Sequence, residues 1–362
     1  MPSELDKLEQ KTYQEDDSPE IPPPDIVAYN ELRSCADLHR MKTEGILDIH
    51  PEFQREFVWK TPDQTRFIDS LIKQLPIPSM CFSLDFKAQK WQVIDGLQRM
   101  STICRFLSGE SGKLSALEDV DESISGQPIQ AFHARHTALH PYLVRVQNLT
   151  LPITVLRCDY TKKSHTRYLF TIFHRLNTGG MKLNNQEIRN CIYSGTLNDF
   201  LKEMNGSKEW MSLNRMRTPT GHRFTTQELI LRIFAFHDSY QSYAGRLARF
   251  LNDYMDDHRN LSMAQIDEKR SLFQRTVAIV YQRIYQGVPP KKQPLSVFES
   301  TLVGVSFNLD YLESISDAKV RQLHTALLGH KEFSEQKLVE GLSGKQRVIG
   351  RINAARQILA GQ

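Results

Sequence analysis

The spacing of apolar residues changes along the chain, and this change limits the folds that the sequence can adopt. Short runs with loose apolar alternation, at residues 79–86, 90–95 and 151–158, predict β-strands with helices between them. From about residue 225 onward, apolar residues recur at the spacing of three and four that is typical of amphipathic helices. The sequence therefore predicts an α+β fold: a small mixed sheet with helices, followed by a mostly α-helical domain.

Composition divides the chain into three predicted regions. Residues 1–25 hold eight acidic and two basic side chains and include three consecutive prolines, which predicts a disordered acidic tail. Residues 26–160 are predicted to form the α/β domain and residues 161–362 the helical domain. Beyond the tail, 44 basic groups face 34 acidic ones, a surplus that suits contact with a polyanion such as DNA, or only a solvated surface.

Composition also predicts a cytoplasmic protein. No window approaches 18 consecutive apolar residues, so we expect no membrane span. The first residues are polar and acidic, unlike a signal or transit peptide. The five cysteines are scattered without a C-x-x-C pair, which predicts reduced, buried thiols and argues against a thiolate zinc site.

One strand-to-helix turn, within WQVIDGLQRMSTICRFL (91–107), concentrates polar groups. A helix that starts there exposes its first N–H groups, which favour an anion. Gly96 would allow close approach to the backbone, and Arg99 could hold a phosphate through two N–H bonds. Gln98 could donate to a phosphate or hold a water, and Asp95 could bind Mg²⁺ or a ribose hydroxyl. The alternative is a local turn with a surface arginine and a hydrogen-bonded aspartate.

Four segments together carry a family resemblance: FQREFVW (53–59), FIDSLIKQLPIPS (67–79), VIDGLQRMSTICRFL (93–107) and FHRLNTGGMKLNNQEIRN (173–190). They resemble the ParB/sulfiredoxin-like N-terminal domain of GmrSD-type restriction proteins, which are implicated in bacterial defence against phages with modified DNA. The likeness extends from about residue 30 to about residue 255. It implies that the turn binds a nucleoside triphosphate with Mg²⁺, which several relatives hydrolyse.

The family's turn reads D-G-Q-Q-R, and this chain matches it at Asp95, Gly96, Gln98 and Arg99. Leu97 replaces the first glutamine, a change that bears on hydrolysis more than on binding. The side chain at that position either contacts the nucleotide or faces the core. Asp95, Gln98 and Arg99 are the candidate catalytic residues, and Asp95 is the candidate metal ligand.

Two further segments are candidates for the nucleotide site. Gln54 and Arg55 lie in a predicted extended segment and could reach the phosphates, or could be ordinary polar residues of the surface. The resemblance implies that Asn177, Thr178 and Gly179 lie near the nucleotide. The alternative is a helix C-cap, for which Gly179 would suffice.

Several motif residues are predicted to be structural. Thr61 is expected to cap a helix that starts at the following proline, and Trp59 to anchor that helix by packing. Asn184 and Glu187 have capping-box spacing, so we expect Glu187 to act there and Arg189 to form an ion pair.

A basic cluster and a run of histidines are further candidates for binding sites. The cluster of Arg215, Arg217 and Arg223 suits phosphate contacts with DNA, or is only an exposed basic loop. Residues 133–140 contain three histidines at helical spacing, but they lack neighbouring carboxylates at ligand spacing, so surface histidines are expected. Residues 256–362 show no paired-histidine metal core, so we expect a separate subunit to supply any nuclease.

The resemblance favours a nucleotide-binding, NTP-hydrolysing sensor or regulator subunit of an anti-phage restriction system. Its expected partners are phage DNA, including modified DNA, and a separate effector nuclease, with self-association left open. The alternative is a non-catalytic ParB-like DNA-binding module that uses nucleotide only as a switch. A sulfiredoxin-type reductase is disfavoured, because that chemistry needs a cysteine in the turn and the chain has Leu97 and Gln98 there.

Overall fold

A computed structural model describes residues 21–49, 59–176, 183–216, 225–290, 293–334, 337–338 and 342–362. The chain forms two compact units, which divide between residues 182 and 183. The first unit contains a five-stranded mixed sheet with helices, and the second unit is helical. The predicted α+β fold is confirmed. None of the described helices is long and apolar enough to cross a lipid bilayer.

The sheet of the first unit has the strand order β1-β5-β3-β4-β2. Its strands are β1 (Val27–Ser34), β2 (Leu47–Asp48), β3 (Met80–Asp85), β4 (Lys90–Asp95) and β5 (Thr150–Cys158). The β1–β5 and β3–β4 pairs are antiparallel, whereas β3–β5 and β2–β4 are parallel. The three predicted strands correspond to β3, β4 and β5.

The described residues of the first unit also form six helices: α1 (Cys35–Thr43), α2 (Thr61–Ile72), α3 (Leu97–Ser108), α4 (Ile129–His133), α5 (His140–Asn148) and α6 (Lys163–Leu176). Helix α1 packs on β1, β2, α3 and α5, while α6 packs on β4. One face of the sheet supplies core side chains such as Phe82, Val93 and Ile153, all at most 4% exposed. This core fixes the end of β4 and the start of α3.

Some local predictions were wrong or incomplete. Helix α2 begins at Thr61 itself, and Lys60 occupies the capping position without a side-chain bond. His133 ends α4 and His140 begins α5, so these histidines do not share one helix. Their ring nitrogens lie 2.9 and 3.2 Å from the carbonyl oxygens of Phe106 and Phe132, respectively. Strand β1, helix α1 and strand β2 were not predicted.

The second unit contains ten α-helices among its described residues: α7 (Asn185–Ile192), α8 (Thr196–Asn205), α9 (Lys208–Leu213), α10 (Thr225–Ser239), α11 (Leu247–Asp257), α12 (Met263–Ala278), α13 (Leu295–Ser306), α14 (Leu309–Ser314), α15 (Asp317–Leu328) and α16 (Lys345–Leu359). A π-helical turn, Ile279–Ile284, continues α12. Helix α13 is buried from Ser296 to Ser306 and packs against α10 and α16. It forms the centre of this unit.

Candidate functional site

Glycine is required at the turn between β4 and α3. Gly96 has φ +97° and ψ 15°, a left-handed conformation that L-residues with side chains rarely adopt. A Cβ atom at this position would lie 2.5 Å from Cγ of Met80, on the neighbouring strand β3. The group that approaches the Gly96 backbone is therefore the Met80 side chain. Packing from β3 and the positive φ together fix the direction in which α3 leaves the sheet.

The N-terminus of α3 carries no side-chain cap from the described residues. The first intrahelical bond runs from the Met100 N–H to the Gly96 carbonyl oxygen, over 2.8 Å. The N–H groups that precede Met100 thus lie at the open end of the helix, where the helix dipole adds positive potential. An anion at this end would meet donors that the helix itself does not use.

The Arg99 side chain folds back onto the turn and forms two hydrogen bonds there. Its Nη2 donates to Asp95 Oδ2 over 2.8 Å, and its Nη1 donates to the carbonyl oxygen of Pro78. The Arg99 side chain is 16% exposed, whereas the Asp95 side chain is 42% exposed. These two bonds use two of the five N–H donors of a guanidinium group. The structure therefore brings Asp95 and Arg99 together as an ion pair, with the carboxylate on the solvent side.

The two residues between Gly96 and Arg99 differ in their surroundings. Leu97 is partly buried and packs against the hydrophobic core of the first unit. Of its two predicted orientations, towards the nucleotide or towards the core, the one towards the core is correct. Gln98 is half-buried, and its Oε1 accepts a hydrogen bond of 3.4 Å from the backbone N–H of Trp59. The Trp59 ring contacts the edge of Phe67 in α2, with 5.4 Å between ring centroids. The prediction that Trp59 anchors this helix is confirmed.

The thiol nearest the turn is unsuited to nucleophilic chemistry. Cys81 pairs with Asp95 across β3 and β4. Burial and the nearby Asp95 carboxylate raise the pKa of the Cys81 thiol to about 12. Burial likewise raises the pKa of Cys104 in α3 to about 12. Both sulfur atoms stay protonated near neutral pH, so neither is an activated thiolate. All five cysteines of the chain are buried, and none forms a disulfide.

Other predicted site residues lie outside the described part of the chain. They are Gln54, Arg55, Asn177, Thr178, Gly179, Arg217 and Arg223. Arg215 is described and exposed, with φ +55°. Its Nη2 donates to the carbonyl oxygens of Pro289 and Pro290, over 3.2 and 3.1 Å. Within the described residues, no cluster of three or more His, Cys, Asp or Glu side chains has metal-site geometry.

The capping box at α7 is present as predicted. Asn184 Oδ1 accepts from the Glu187 N–H over 2.9 Å, and Glu187 Oε2 accepts from the Asn184 N–H over 2.6 Å. Arg189, which is 1% exposed, donates to Glu228 Oε2 over 2.7 Å and to Asn252 Oδ1 over 2.8 Å. The structural roles predicted for Glu187 and Arg189 are thus confirmed.

Arg189 belongs to a buried ionic network that sequence reasoning missed. Arg232 bridges Glu228 and Glu299, with 2.9 Å between its Nη1 and Glu299 Oε2. Burial would raise the pKa of Glu228, but Arg232 and Arg189 outweigh it and hold that pKa below its usual value. The available signal was the pair of charged residues, Glu228 and Arg232, within the otherwise apolar sequence of α10.

Residues 35–194 match the family model described as the GmrSD restriction endonuclease, N-terminal domain. This stretch is similar to GmrSD N-terminal domains. The match contains the Asp95–Arg99 turn and the α7 capping box, so the family recognised from the motifs is confirmed over these residues. No curated protein and no solved structure gave a significant match. The family named by this model is one of restriction endonucleases, which act in restriction-type, anti-phage systems.

Proposed function

We propose that the chain is a nucleotide-binding regulatory subunit of such a system. In this proposal, the turn at Asp95–Arg99 binds the phosphates of a nucleoside triphosphate with Mg²⁺. The observation that carries it is the combination of an uncapped helix N-terminus, a left-handed glycine and an adjacent arginine–carboxylate pair. Each feature has an ordinary structural use, but together they supply donors, positive potential and a metal-binding oxygen at one point.

The Asp95–Arg99 ion pair fits this proposal as the nucleotide-free arrangement. The Asp95 carboxylate is the more exposed partner, so a hydrated Mg²⁺ ion could approach it from solvent. Neutralisation of Asp95 by the metal would weaken its hold on Arg99. The guanidinium could then turn from Asp95 to a phosphate, a bidentate acceptor of matching geometry. The internal bond between Asp95 and Arg99 would thus be replaced by two contacts with the ligand, one from Asp95 to the metal and one from Arg99 to a phosphate.

Catalysis and switching make different demands on the turn. Hydrolysis would need Asp95, Gln98 and Arg99 to orient water and stabilise charge on the transferred phosphoryl group. The alternative is a non-catalytic, ParB-like DNA-binding module in which nucleotide acts only as a switch. The core position of Leu97 favours this alternative, because that residue contributes no polar group to the turn. Binding is therefore the primary proposal, and hydrolysis is the activity to test.

The remaining parts of the proposal concern partners. DNA contact is supported by the excess of basic over acidic residues outside residues 1–25 and by the exposed Arg215. In this proposal cleavage is assigned to a nuclease other than the matched segment, which resembles the N-terminal domain of a restriction endonuclease. Phage DNA, including modified DNA, would be the substrate of the assembled system. Assembly through more than one copy of the chain is testable by light scattering with and without nucleotide.

Two measurements test the proposal. The first is thermal unfolding with Mg²⁺ and each of ATP, GTP, CTP and UTP, in the wild type, Arg99→Ala and Arg66→Ala. Arg66 is a matched control because it is an exposed arginine in an ion pair of the same unit. We expect at least one nucleotide to raise the melting temperature of the wild type and of Arg66→Ala, but not of Arg99→Ala. No shift with any nucleotide would contradict the proposal.

The second measurement is turnover of the stabilising nucleotide, followed by release of labelled phosphate. Turnover by the wild type and its loss in Arg99→Ala would support the NTPase. Saturable binding without turnover would support the switch. Addition of short DNA duplexes to both assays tests whether DNA changes nucleotide affinity, as reciprocal coupling requires.

A further inference from the structure

A row of aligned side chains crosses the sheet from the candidate turn to the edge strand β1. Strand pairing aligns Asp95 of β4 with the buried Cys81 of β3, beside an irregularity in the β3–β4 register, and Cys81 with Thr154 of β5. Thr154 is aligned in turn with Asn30 of β1. Aligned partners face the same side of a sheet, and neighbouring strands lie about 4.8 Å apart. Three strand spacings therefore place Asn30 roughly 14 Å from Asp95 along the row.

Hydrogen bonds orient the outer part of this row. Ser79 Oγ lies 3.1 Å from Thr154 Oγ1, and the Thr154 hydroxyl donates to Asn30 Oδ1 over 2.8 Å. Because Asn30 Oδ1 accepts this bond, the two N–H donors of Asn30 Nδ2 are directed away from Thr154. Ser79 and Asn30 are exposed, and Thr154 is partly exposed. The row thus presents two hydroxyls and an oriented amide donor to solvent.

The row is continuous with the turn. Ser79 follows Pro78, whose carbonyl oxygen accepts the Arg99 guanidinium. Next to Asn30 and Thr154, the strand register sets Leu32 opposite Pro152. Leu32 is 70% exposed. A polar row that begins at the phosphate turn is therefore flanked by apolar surface at its far end.

We propose that the Ser79–Thr154–Asn30 row is the nucleoside subsite of the nucleotide site, an inference that rests on the proposed function. The hydroxyls of Ser79 and Thr154 meet the ribose hydroxyls. The Asn30 amide donates to an acceptor atom of the base. Leu32 and Pro152 provide apolar contact for the base ring. The ligand thus lies along the sheet, with its phosphates at α3 and its base towards β1.

The test compares a nucleotide with inorganic tripolyphosphate, which has the phosphates but no nucleoside. Binding of both ligands with Mg²⁺ is measured by calorimetry for the wild type, Thr154→Val and Thr150→Val. Thr150→Val is the matched control, because Thr150 is an exposed threonine on the same strand and the same face. Thermal unfolding of each variant confirms that it is folded.

We expect Thr154→Val to weaken binding of the nucleotide by about 3- to 10-fold, the usual loss for one hydrogen-bonding group. Its binding of tripolyphosphate should equal that of the wild type, and Thr150→Val should bind both ligands normally. Asn30→Leu should reproduce the selective loss. No loss for either ligand would overturn the subsite and leave the proposed phosphate site at the turn standing. Equal loss for both ligands would also overturn the subsite, because it would show that Thr154 affects phosphate binding and not the nucleoside. A wild type that binds neither ligand would overturn the proposed function itself, and the subsite with it.

Discussion

The chain uses arginine–carboxylate pairs in two regions with opposite surroundings. In the turn, Arg99 and Asp95 are 16% and 42% exposed, and they lie within four residues of each other. In the helical unit, Arg232 and Glu299 are 2% and 3% exposed, and they join two helices although they lie 67 positions apart in the sequence. The first pair can be exchanged for contacts with an external ligand. The second pair is almost completely shielded from solvent, so breaking it requires opening of the helical core.

Exposure therefore decides what the same two functional groups can do. Removal of one partner from a buried network leaves an uncompensated charge in a medium of low polarity. Removal of one partner from an exposed pair lets water replace the contact at little cost. The comparison predicts that the buried network determines stability, whereas the Asp95–Arg99 pair determines ligand binding and contributes little to stability.

The largest expected effect is at the centre of the buried network. Arg232→Met should lower the free energy of unfolding by about 3–5 kcal/mol, because Glu299 and Glu228 lose a buried cation. Arg275→Met is the matched control, since Arg275 pairs with Glu313 at an exposed position of the same unit. The control should cost at most about 1 kcal/mol. Urea unfolding followed by circular dichroism measures the free energy of unfolding of both variants. Similar losses in the two variants would contradict the predicted difference between buried and exposed ion pairs.

An intermediate effect is expected from Gly96→Ala in the turn. The positive φ and the contact with Met80 should together cost about 1–3 kcal/mol of unfolding free energy. Gly45→Ala is an informative control, because Gly45 has φ +70° but no atom within 4 Å of an added Cβ. It should show only the backbone cost, about 1 kcal/mol. If both substitutions cost the same, the close approach of Met80 does not shape the turn.

The smallest effect is expected from Arg99→Ala. Its ion pair with Asp95 is partly exposed, so its loss should change the free energy of unfolding by no more than about 1 kcal/mol. The same substitution should abolish the stabilisation by nucleotide described above. A loss of several kcal/mol in the absence of nucleotide would instead make Arg99 a structural residue.

The sequence predicted those elements whose signals are local. Strand β4, the start of α3 and the α7 capping box follow from short-range patterns and capping chemistry. Strand β1 was missed because it lies at the sheet edge and is exposed over most of its length, so its side chains show no burial pattern. It is held by pairing with β5, more than 100 residues away.

The candidate site was predictable in composition but not in its contacts. The residues of the turn could be named from their order, whereas the bonds of Arg99 depend on the placement of Pro78 before β3. Likewise, Glu228 and Arg232 lie four residues apart and resemble an ordinary surface ion pair of a helix. Their burial depends on α13, whose position no local pattern reports.

The central claim is that a triphosphate binds at the open end of α3. Structure determination of the wild type with the stabilising nucleotide and Mg²⁺ tests it most directly. We predict phosphate oxygens within hydrogen-bonding distance of the Leu97 and Gln98 N–H groups, with the Arg99 guanidinium turned from Asp95 towards them. A nucleotide bound at another place, with the Arg99–Asp95 bond unchanged, would contradict the account.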